Sequence, residues 1–528
     1  MKKIILFIAV LIAIISTSCT DDFLEQAPIN QLSSENFIPD LALTGVYDGL
    51  QIINVAGSFM WQMGLSPLAT NRVQLNFETG VGLDPSNGKF EEIWRDHYRL
   101  IFKANLFIDN AVPTENFEQA EINNFIGQAK FIRAYAYSQL AAFYGSVPIH
   151  LNSSTTVSEM RQIAKSTKAE VIAQILKDLD EAIAILPDVV EHGRVSKGAA
   201  MALKARVLLR ENDYPSVLSI TEDIINSGIY GLFGETSPGS TSFDTDAYKN
   251  LFTLEHDNNE ESVFAVQYVG PLLGEGQPFD NDGSYKSARG GNMWFWATKF
   301  LVDNYENIDG SPVGTGPYQE MPTPGDPRFL GRDLRFDATI TYPGKTIYTG
   351  QVWEPGFRIY TRAETRFLIT KFTAETDDTS IAGSWFPNGG DSPANIMLIR
   401  YADVLLMNAE AKIETGNITD SGANSAIKSI NRIRARGGLQ PITATTQEEL
   451  RTALRKERMI EFAGEGLFMF DIRRWGIADV EMERDVEDFA GNVTPHGTRI
   501  FSPKLLEWPI PQFEIDNSEG LVQNPLWE

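Results

Sequence analysis

The sequence predicts a mainly α-helical protein, in which pairs of helices form a scaffold that carries a loop-rich, partly β insertion. Apolar residues recur every three to four positions in segments on both sides of the chain's centre, as they do on a helix with one buried face. The centre, residues 229–394, is instead rich in Gly, Pro, Asn, Asp and aromatic residues. We therefore expect about four helix pairs, with the insertion supplying the loops on which functional residues concentrate.

The predicted helices follow from their apolar stripes and their end signals. Phe125 and Ile132 share one face of the helix at residues 124–144, and Thr167 and Glu170 have capping-box spacing at the start of the next helix. Alanine-rich pairs with a Tyr opening the second helix are similar to tetratricopeptide units, although no strict period is present. The predicted helices are residues 124–144, 167–186, 196–210, 214–226, 397–415, 423–435, 447–464 and 467–475. The predicted strands are residues 262–268, 338–342 and 367–372.

The N-terminus has the pattern of a lipoprotein export signal. Lys2 and Lys3 precede an apolar run that is shorter than the roughly 20 residues needed to span a bilayer. Small residues lead from this run to Cys19, the only cysteine of the chain, in a pattern that resembles a lipobox. We therefore expect residues 1–18 to be removed and Cys19 to be acylated, anchoring the protein to a membrane. An ordinary secretory signal with an incidental cysteine is the alternative.

The remaining chain divides by composition into a tether and three regions. Residues 19–34 are acidic near their start and lack periodicity, which predicts a lipidated tether. An N-terminal helical region at 35–228, the insertion at 229–394 and a C-terminal helical region at 395–528 follow, and we expect the two helical regions to share one scaffold.

The composition argues against several classes of partner. With 43% hydrophobic and 22% charged residues, the chain has the balance of a folded globular protein. Its formal net charge of −25 argues against nucleic acid and anionic lipid, which proteins bind through clustered Lys and Arg. A neutral or cationic ligand fits this charge better.

The sequence carries no recognisable catalytic motif. Its five histidines lack the spacing of a helical zinc site, and neither a Gly-x-Ser-x-Gly elbow nor a Walker-type phosphate loop occurs. Residues 280–283 and 303–310 place acids beside a glycine, but neither completes a calcium loop. We therefore predict no catalytic residue, no metal ligand and no cofactor, with a structural Ca²⁺ left open. A glycoside hydrolase whose two carboxylates meet only in the fold is the least favoured alternative.

Aromatic residues in loops form the first candidate binding site. Sugars offer apolar C–H faces that stack on flat rings and hydroxyls that need polar partners, so a carbohydrate site combines both. The segment RGGNMWFW at residues 289–296 has Trp294 and Trp296 in alternation, which places both rings on one face of an extended chain. Tyr285 and Asn292 are close in sequence. The alternative is that both tryptophans belong to the core.

A second candidate segment lies nearer the N-terminus. In residues 58–76, Trp61 is followed by the polar residues Asn71, Arg72 and Asn76. Further candidates for stacking are Trp353 and Trp385. Trp94, Trp475 and Trp508 lie in helical or C-terminal scaffold segments and are predicted to be core.

Long basic side chains inside apolar helix faces are predicted to be structural. They typically pair with inward acids such as Asp403, Glu410 or Asp471, or extend to solvent. The arginines in this position are Arg133, Arg206, Arg400 and Arg473.

An ordered set of segments resembles the SusD/RagB family. The segments are residues 129–148 (AKFIRAYAYSQLAAFYGSVP), 193–209 (GRVSKGAAMALKARVLL), 399–416 (IRYADVLLMNAEAKIETG), 431–436 (NRIRAR), 455–475 (RKERMIEFAGEGLFMFDIRRW) and 508–525 (WPIPQFEIDNSEGLVQNP). Cys19 followed by Asp22, Phe23 and Leu24 is similar to the family's opening. The resemblance is weakest in the insertion, where ligand identity would be decided.

This resemblance implies a cell-surface nutrient-binding lipoprotein of the Gram-negative outer membrane. Such proteins act as lids over TonB-dependent transporters of the SusC type and capture oligosaccharides, glycans or peptides without cleaving them. The implied fold has four tetratricopeptide-like helix pairs and a loop-rich region that builds the ligand site. In the family, the loops before the helix that contains Trp94 commonly contribute to this site, which supports residues 58–76 by position. A glycan ligand is favoured, and peptide capture on the same scaffold is the alternative.

Overall fold

The computed structural model describes residues 37–72, 81–270, 275–277, 293–314, 325–347, 352–354, 363–372 and 392–528, without the side chains of residues 58–60. This part of the chain is mostly helical, as the sequence predicts. Its longer helices are α1 (Pro39–Asp48), α2 (Gly88–Asn110), α3 (Gln119–Tyr144), α4 (Lys168–Ile185), α5 (Lys197–Arg210), α6 (Tyr214–Ser227), α7 (Lys299–Asn304), α8 (Leu334–Thr339), α9 (Tyr401–Glu414), α10 (Ala426–Arg436), α11 (Gln447–Glu461), α12 (Phe468–Arg474), α13 (Ala478–Met482) and α14 (Gln512–Asn517). Four-residue helices lie at Phe59–Gln62, Val157–Met160 and Ala247–Asn250.

The strands are short and their pairings are antiparallel. They are β1 (Ala69–Asn71), β2 (Ser262–Val266), β3 (Phe295–Ala297), β4 (Ile340–Thr341), β5 (Leu368–Ile369), β6 (Ile396–Arg400), β7 (Asp485–Glu487) and β8 (Val493–Thr498). One sheet has four strands in the order β1-β3-β5-β4, and β2-β6 and β7-β8 form two-stranded sheets.

The helices stack into one scaffold that both halves of the chain build. Helix α3 packs against α2 and α4, α4 packs against α5, and α5 packs against α6. Helix α9, which follows the insertion in sequence, packs on α6 and continues the stack with α10 and α11. The chain therefore leaves the scaffold after α6 and returns to it at α9.

Local end signals explain most helix boundaries. Thr167 and Glu170 form the predicted capping box of α4, with the Thr167 hydroxyl accepting from the Glu170 amide at 3.3 Å. Helix α3 ends at Gly145, where φ is +67°. It begins at Gln119, five residues earlier than predicted. Its cap is Glu118, which is not one of the Ser, Thr, Asp or Asn residues that usually signal a helix start, so the sequence did not reveal this boundary.

One predicted helix start is wrong. Residues 397–400 were expected to open a helix, but Ile396–Arg400 form β6 and α9 begins at Tyr401. A short apolar run does not distinguish strand from helix, and pairing with the distant β2 decides the outcome here. The predicted strands at residues 262–268, 338–342 and 367–372 contain the shorter observed strands β2, β4 and β5.

A buried network of charged side chains joins the insertion to the C-terminal helices. Glu461, fully buried at the end of α11, accepts from Arg335 at 3.1 Å, Arg400 at 3.0 Å and Arg436 at 2.6 Å. Burial alone would raise the pKa of Glu461, but the attraction of Arg436, Arg400 and Arg335 outweighs it and lowers this pKa to about 2. Glu261, next to β2, also binds Arg400 and Arg436. The network therefore holds the insertion in place through ionised groups.

The other inward-facing arginines give a mixed outcome. Arg133 binds Asp178 at 2.7 Å and Arg206 binds Asp403 at 2.8 Å, as predicted for structural ion pairs. Arg473 was expected to pair with an acid or to extend to solvent; it is half-buried and forms no ion pair with the described residues. The acids with which Arg473 was expected to pair form ion pairs with the adjacent Arg474 instead.

Within the described ranges, no helix is long and apolar enough to cross a membrane. The predicted export signal and its cysteine, Cys19, lie outside those ranges.

Candidate functional site

Strand pairing brings the two candidate segments together. Strand β1, from the segment at residues 58–76, pairs with β3, from the segment at residues 289–296, with Asn71 opposite Phe295. Just beyond this pair, the Arg72 amide donates to the Trp294 carbonyl at 2.7 Å. Two candidates that are far apart in sequence therefore form one edge of the four-stranded sheet.

Arg72 and Trp294 form the accessible part of this edge. Both side chains are half-buried, and the guanidinium carbon of Arg72 lies 5.6 Å from the centroid of the Trp294 ring. A cation over an indole is a favourable contact, and it holds the two groups in a defined relation. The pair offers an aromatic surface beside N–H donors, which suits a ligand with apolar faces and hydroxyl groups.

Trp296 does not share this exposure, so the expectation that both tryptophans form a stacking surface is wrong for this ring. Only 1% of the residue is exposed, and its indole N–H donates to the Met293 carbonyl at 2.9 Å. Strand β3 lies between β1 and β5, where Trp296 is opposite Thr70 and Leu368. Trp294 instead lies just before β3 begins, at the sheet's edge. Trp296 is therefore a core residue, which was the alternative to a binding role.

The structure also buries other predicted binding residues. Trp61 is 9% exposed and packs against both Phe143 and Trp508, with ring centroids 5.6 Å away in each case. Asn71 and Trp353 are likewise buried, so none of the three presents a surface on which a ligand can stack. Their place in the core is decided by packing partners that are distant in sequence.

The remaining tryptophans and predicted site residues have separate outcomes. Trp94 and Trp508 are core residues, as predicted. Trp475 is half-buried and donates to Glu410 at 2.7 Å. The predicted residues Tyr285, Asn292, Asn76 and Trp385 lie outside the described part of the chain.

A histidine from the C-terminal part supports the sheet from behind. The His496 ring is perpendicular to the Trp296 ring with centroids 5.3 Å apart, and its Nδ1 lies 3.4 Å from the Thr70 hydroxyl. Burial, assisted by Arg499, lowers the pKa of His496 to about 4, so the imidazole is neutral at pH 7. Sequence reasoning missed His496, because no periodicity or motif connects it with β1 or β3.

No group of three or more His, Cys, Asp or Glu side chains is placed to hold a metal ion within the described residues. Asp303, from one of the two acidic segments considered for calcium, is bound to Lys299, which lies one turn earlier in α7. Residues 280–283, the other segment, lie outside the described ranges.

A second accessible aromatic surface lies elsewhere on the scaffold. A groove of about 960 Å³ runs between α2 and α14, and Tyr98, Phe102 and Phe513 are among its lining residues. Phe102 is 45% exposed and Phe513 is 59% exposed, which is unusual for phenylalanine. The groove contains none of the residues predicted to bind, and it is therefore a separate candidate surface.

Comparison with known proteins agrees with this architecture. A family model described as the SusD family matches residues 260–527, and one described as starch-binding and associating with the outer membrane matches residues 22–209. SusD-like protein P2 of Formosa agariphila is 27% identical over 554 aligned positions, which cover 99% of this chain and 97% of that protein.

Solved structures give the same result. A SusD-like protein from Bacteroides fragilis has a TM-score of 0.78 at 25% identity, covering 95% of this chain and 100% of its own. A SusD-like carbohydrate binding protein from the same species has a TM-score of 0.77 at 24% identity, covering 93% and 99%. Sequence and fold thus agree over almost the whole chain, which belongs to the SusD family.

Proposed function

We propose that this protein is a surface lipoprotein of the outer membrane that captures oligosaccharides and delivers them to a SusC-type TonB-dependent transporter. The observation that carries the ligand class is the half-buried Trp294 ring beside the Arg72 guanidinium at the edge of the four-stranded sheet. Family membership supports the delivery step, and one solved relative is named as a carbohydrate binding protein. The protein binds its ligand without cleaving it.

The proposed site combines stacking with hydrogen bonding. One face of a sugar ring carries C–H groups that pack on the exposed part of Trp294, while its hydroxyls accept from the N–H groups of Arg72. The buried Trp296 of this strand packs against the ring of the neutral His496, which we expect to hold the strand in place before the ligand arrives.

Trp294→Ala is expected to weaken oligosaccharide binding about tenfold, because the variant loses the stacking surface while the hidden side of the sheet is unchanged. Isothermal titration against a panel of malto-, laminari- and xylo-oligosaccharides would measure this. A ligand present at a free concentration of 100 times its Kd would also stabilise the wild-type protein by about 2.7 kcal/mol. Chromatography of the same mixtures after a day is expected to return every sugar uncleaved.

Phe102→Ala provides a matched control, since it removes an exposed aromatic ring from the separate groove. Unchanged affinity in Trp294→Ala together with a loss in Phe102→Ala would move the site to the groove. Binding of peptides in a parallel panel, with no response to any sugar, would replace the glycan by a peptide. Shortened sugars that persist in an independent preparation would contradict the binding-only function.

Cys19→Ala is expected to release the protein from the membrane fraction, because the thiol is the proposed site of acylation. Within the described residues, no helix is long and apolar enough to span a membrane in its place. Fractionation should be done in cells that lack the partner transporter, with a high-salt wash. A variant that remains with the membranes under these conditions would contradict the lipid anchor.

A further inference from the structure

A cavity of about 380 Å³ lies among the scaffold helices. Its walls come from the C-terminal halves of α3 and α5, the first turns of α4, helix α12 and the segment around Glu507. Apolar residues, including Ile172 and Val207, form part of the wall. None of the residues at the sheet edge lines it, so this cavity is separate from the proposed sugar site.

Arg210, in the last turn of α5, lines the cavity. Its guanidinium carbon lies 4.1 Å from the centroid of the Phe470 ring, and its Nη1 donates a long hydrogen bond of 3.4 Å to the Ser138 carbonyl. Burial lowers the pKa of Arg210 to about 10, and repulsion by Arg206 acts in the same direction. The side chain is half-buried and forms no ion pair with a carboxylate among the described residues.

Arg473 contributes a second cation of this kind from α12. Its Nη1 atom is buried and has no hydrogen-bond partner within the described residues, and burial lowers the pKa of the side chain to about 10. The acids that would neutralise it are occupied, because Arg474 binds both Glu410 and Asp471. A buried charge without a partner is unfavourable, and such groups in proteins normally have one.

The other charges at the cavity leave the excess positive charge in place. Lys168 binds Glu211 at 2.7 Å, which neutralises both. Glu507 also lines the cavity, and no ion pair is formed by its side chain in the described structure. Two cations therefore face one unpaired acid, in a chain whose formal net charge is −25.

We propose that this cavity binds the carboxylate of a small acidic molecule, of the size of one uronic acid unit, between Arg210 and Arg473. A guanidinium presents paired N–H donors that match the two oxygens of a planar carboxylate. The volume falls within the range of small-molecule sites, and the apolar wall covers the uncharged part of the ligand. This inference does not depend on sugar binding at the sheet edge.

Titration with sodium glucuronate in a Tris-chloride buffer of low ionic strength tests the proposal, with glucose as the uncharged probe. We expect saturable binding of glucuronate and none of glucose at this site. Arg473→Gln and Arg210→Gln should each weaken glucuronate binding roughly 10- to 100-fold, since each loses a charge-assisted hydrogen bond. Glu507→Gln should tighten it, because a negative charge is removed from the cavity wall.

Arg455→Gln is the matched control. Arg455 is also half-buried, has no ion pair in the described structure and lies over the Trp475 ring at 5.0 Å, but it does not line the cavity. Its replacement removes the same charge and should leave glucuronate affinity unchanged. An equal loss of affinity in Arg455→Gln would show that net charge alone is responsible and would overturn the site.

Thermal unfolding of Arg473→Met separates binding from a structural role. Without an anion, this variant should melt no lower than the wild type, because it replaces a half-buried cation that has no ion pair in the described structure by an apolar side chain of similar length. A clear fall in its melting temperature would assign Arg473 to the fold and overturn the proposal. So would the absence of glucuronate binding by the wild type, or binding of sulfate without binding of glucuronate.

Discussion

Replacing Glu461 with glutamine is expected to lower the free energy of unfolding by about 3–5 kcal/mol, the range found when one partner of a buried ion pair is removed. The carboxylate is fully buried and accepts hydrogen bonds from Arg335, Arg400 and Arg436. A neutral amide keeps the shape but leaves these guanidinium groups short of one negative charge. Urea unfolding at pH 7 would measure the loss as a lower midpoint.

The same carboxylate predicts a defined loss of stability in acid. The pKa of Glu461 is about 2 in the folded protein, below its ordinary value of 4.5. Because the folded pKa is the lower one, this contribution is complete above about pH 5 and is lost as the pH falls towards 2. It amounts to on the order of 3 kcal/mol. Between pH 5 and 3, the stability of Glu461→Gln should therefore fall less steeply than that of the wild type.

Glu448→Gln is the matched control on the same helix. Glu448 is 77% exposed and pairs with Arg451 at the surface, where an ion pair contributes little. Its replacement should change the free energy of unfolding by less than about 0.5 kcal/mol. Equal effects of the two substitutions, or parallel pH curves for Glu461→Gln and wild type, would contradict the role of the buried network.

Trp296→Ala is expected to destabilise the protein by about 3–5 kcal/mol, as large-to-small substitutions of buried aromatic residues do. The ring is 1% exposed and packs perpendicular to the His496 ring. Its removal opens a cavity in the sheet and releases the indole hydrogen bond to Met293. Urea unfolding and near-ultraviolet circular dichroism would measure the effect.

Trp294→Ala should destabilise the protein much less, because Trp294 is half-buried at the edge of the same sheet. Comparison of the two variants thus distinguishes the tryptophan needed for stability from the one needed for binding. If Trp296→Ala keeps the wild-type stability and loses sugar affinity, the ring is accessible in solution and the burial described above is not maintained.

The helical scaffold could be predicted from the sequence because its information is local. The apolar period along α3 and the capping box of α4 act within a few turns of chain, and both gave the right element. The error at β6 has the opposite cause. Its apolar run is compatible with a helix or a strand, and only pairing with β2 selects the strand.

The sequence also singled out the two segments that meet at the proposed site, but not which of their side chains are accessible. Trp294 and Trp296 are two residues apart and chemically identical, yet the central position of β3 buries one and the edge exposes the other. The contact of Trp294 with Arg72 arises from the pairing of β1 with β3. Likewise, composition shows an acidic chain, whereas the two cations at the scaffold cavity emerge only from packing.

The sequence by itself determined the helical fold class, the helix pairs and the family to which the chain belongs, because periodicity, caps and ordered motifs are written in consecutive residues. The tertiary structure decided the register that joins β1 to β3, the acids that the inward-facing arginines bind, and the lack of such an acid for Arg473 among the described residues. These depend on contacts between residues that are hundreds of positions apart in places, such as Thr70 and His496. Burial and pairing at such distances are properties of the packed chain, which no local pattern encodes.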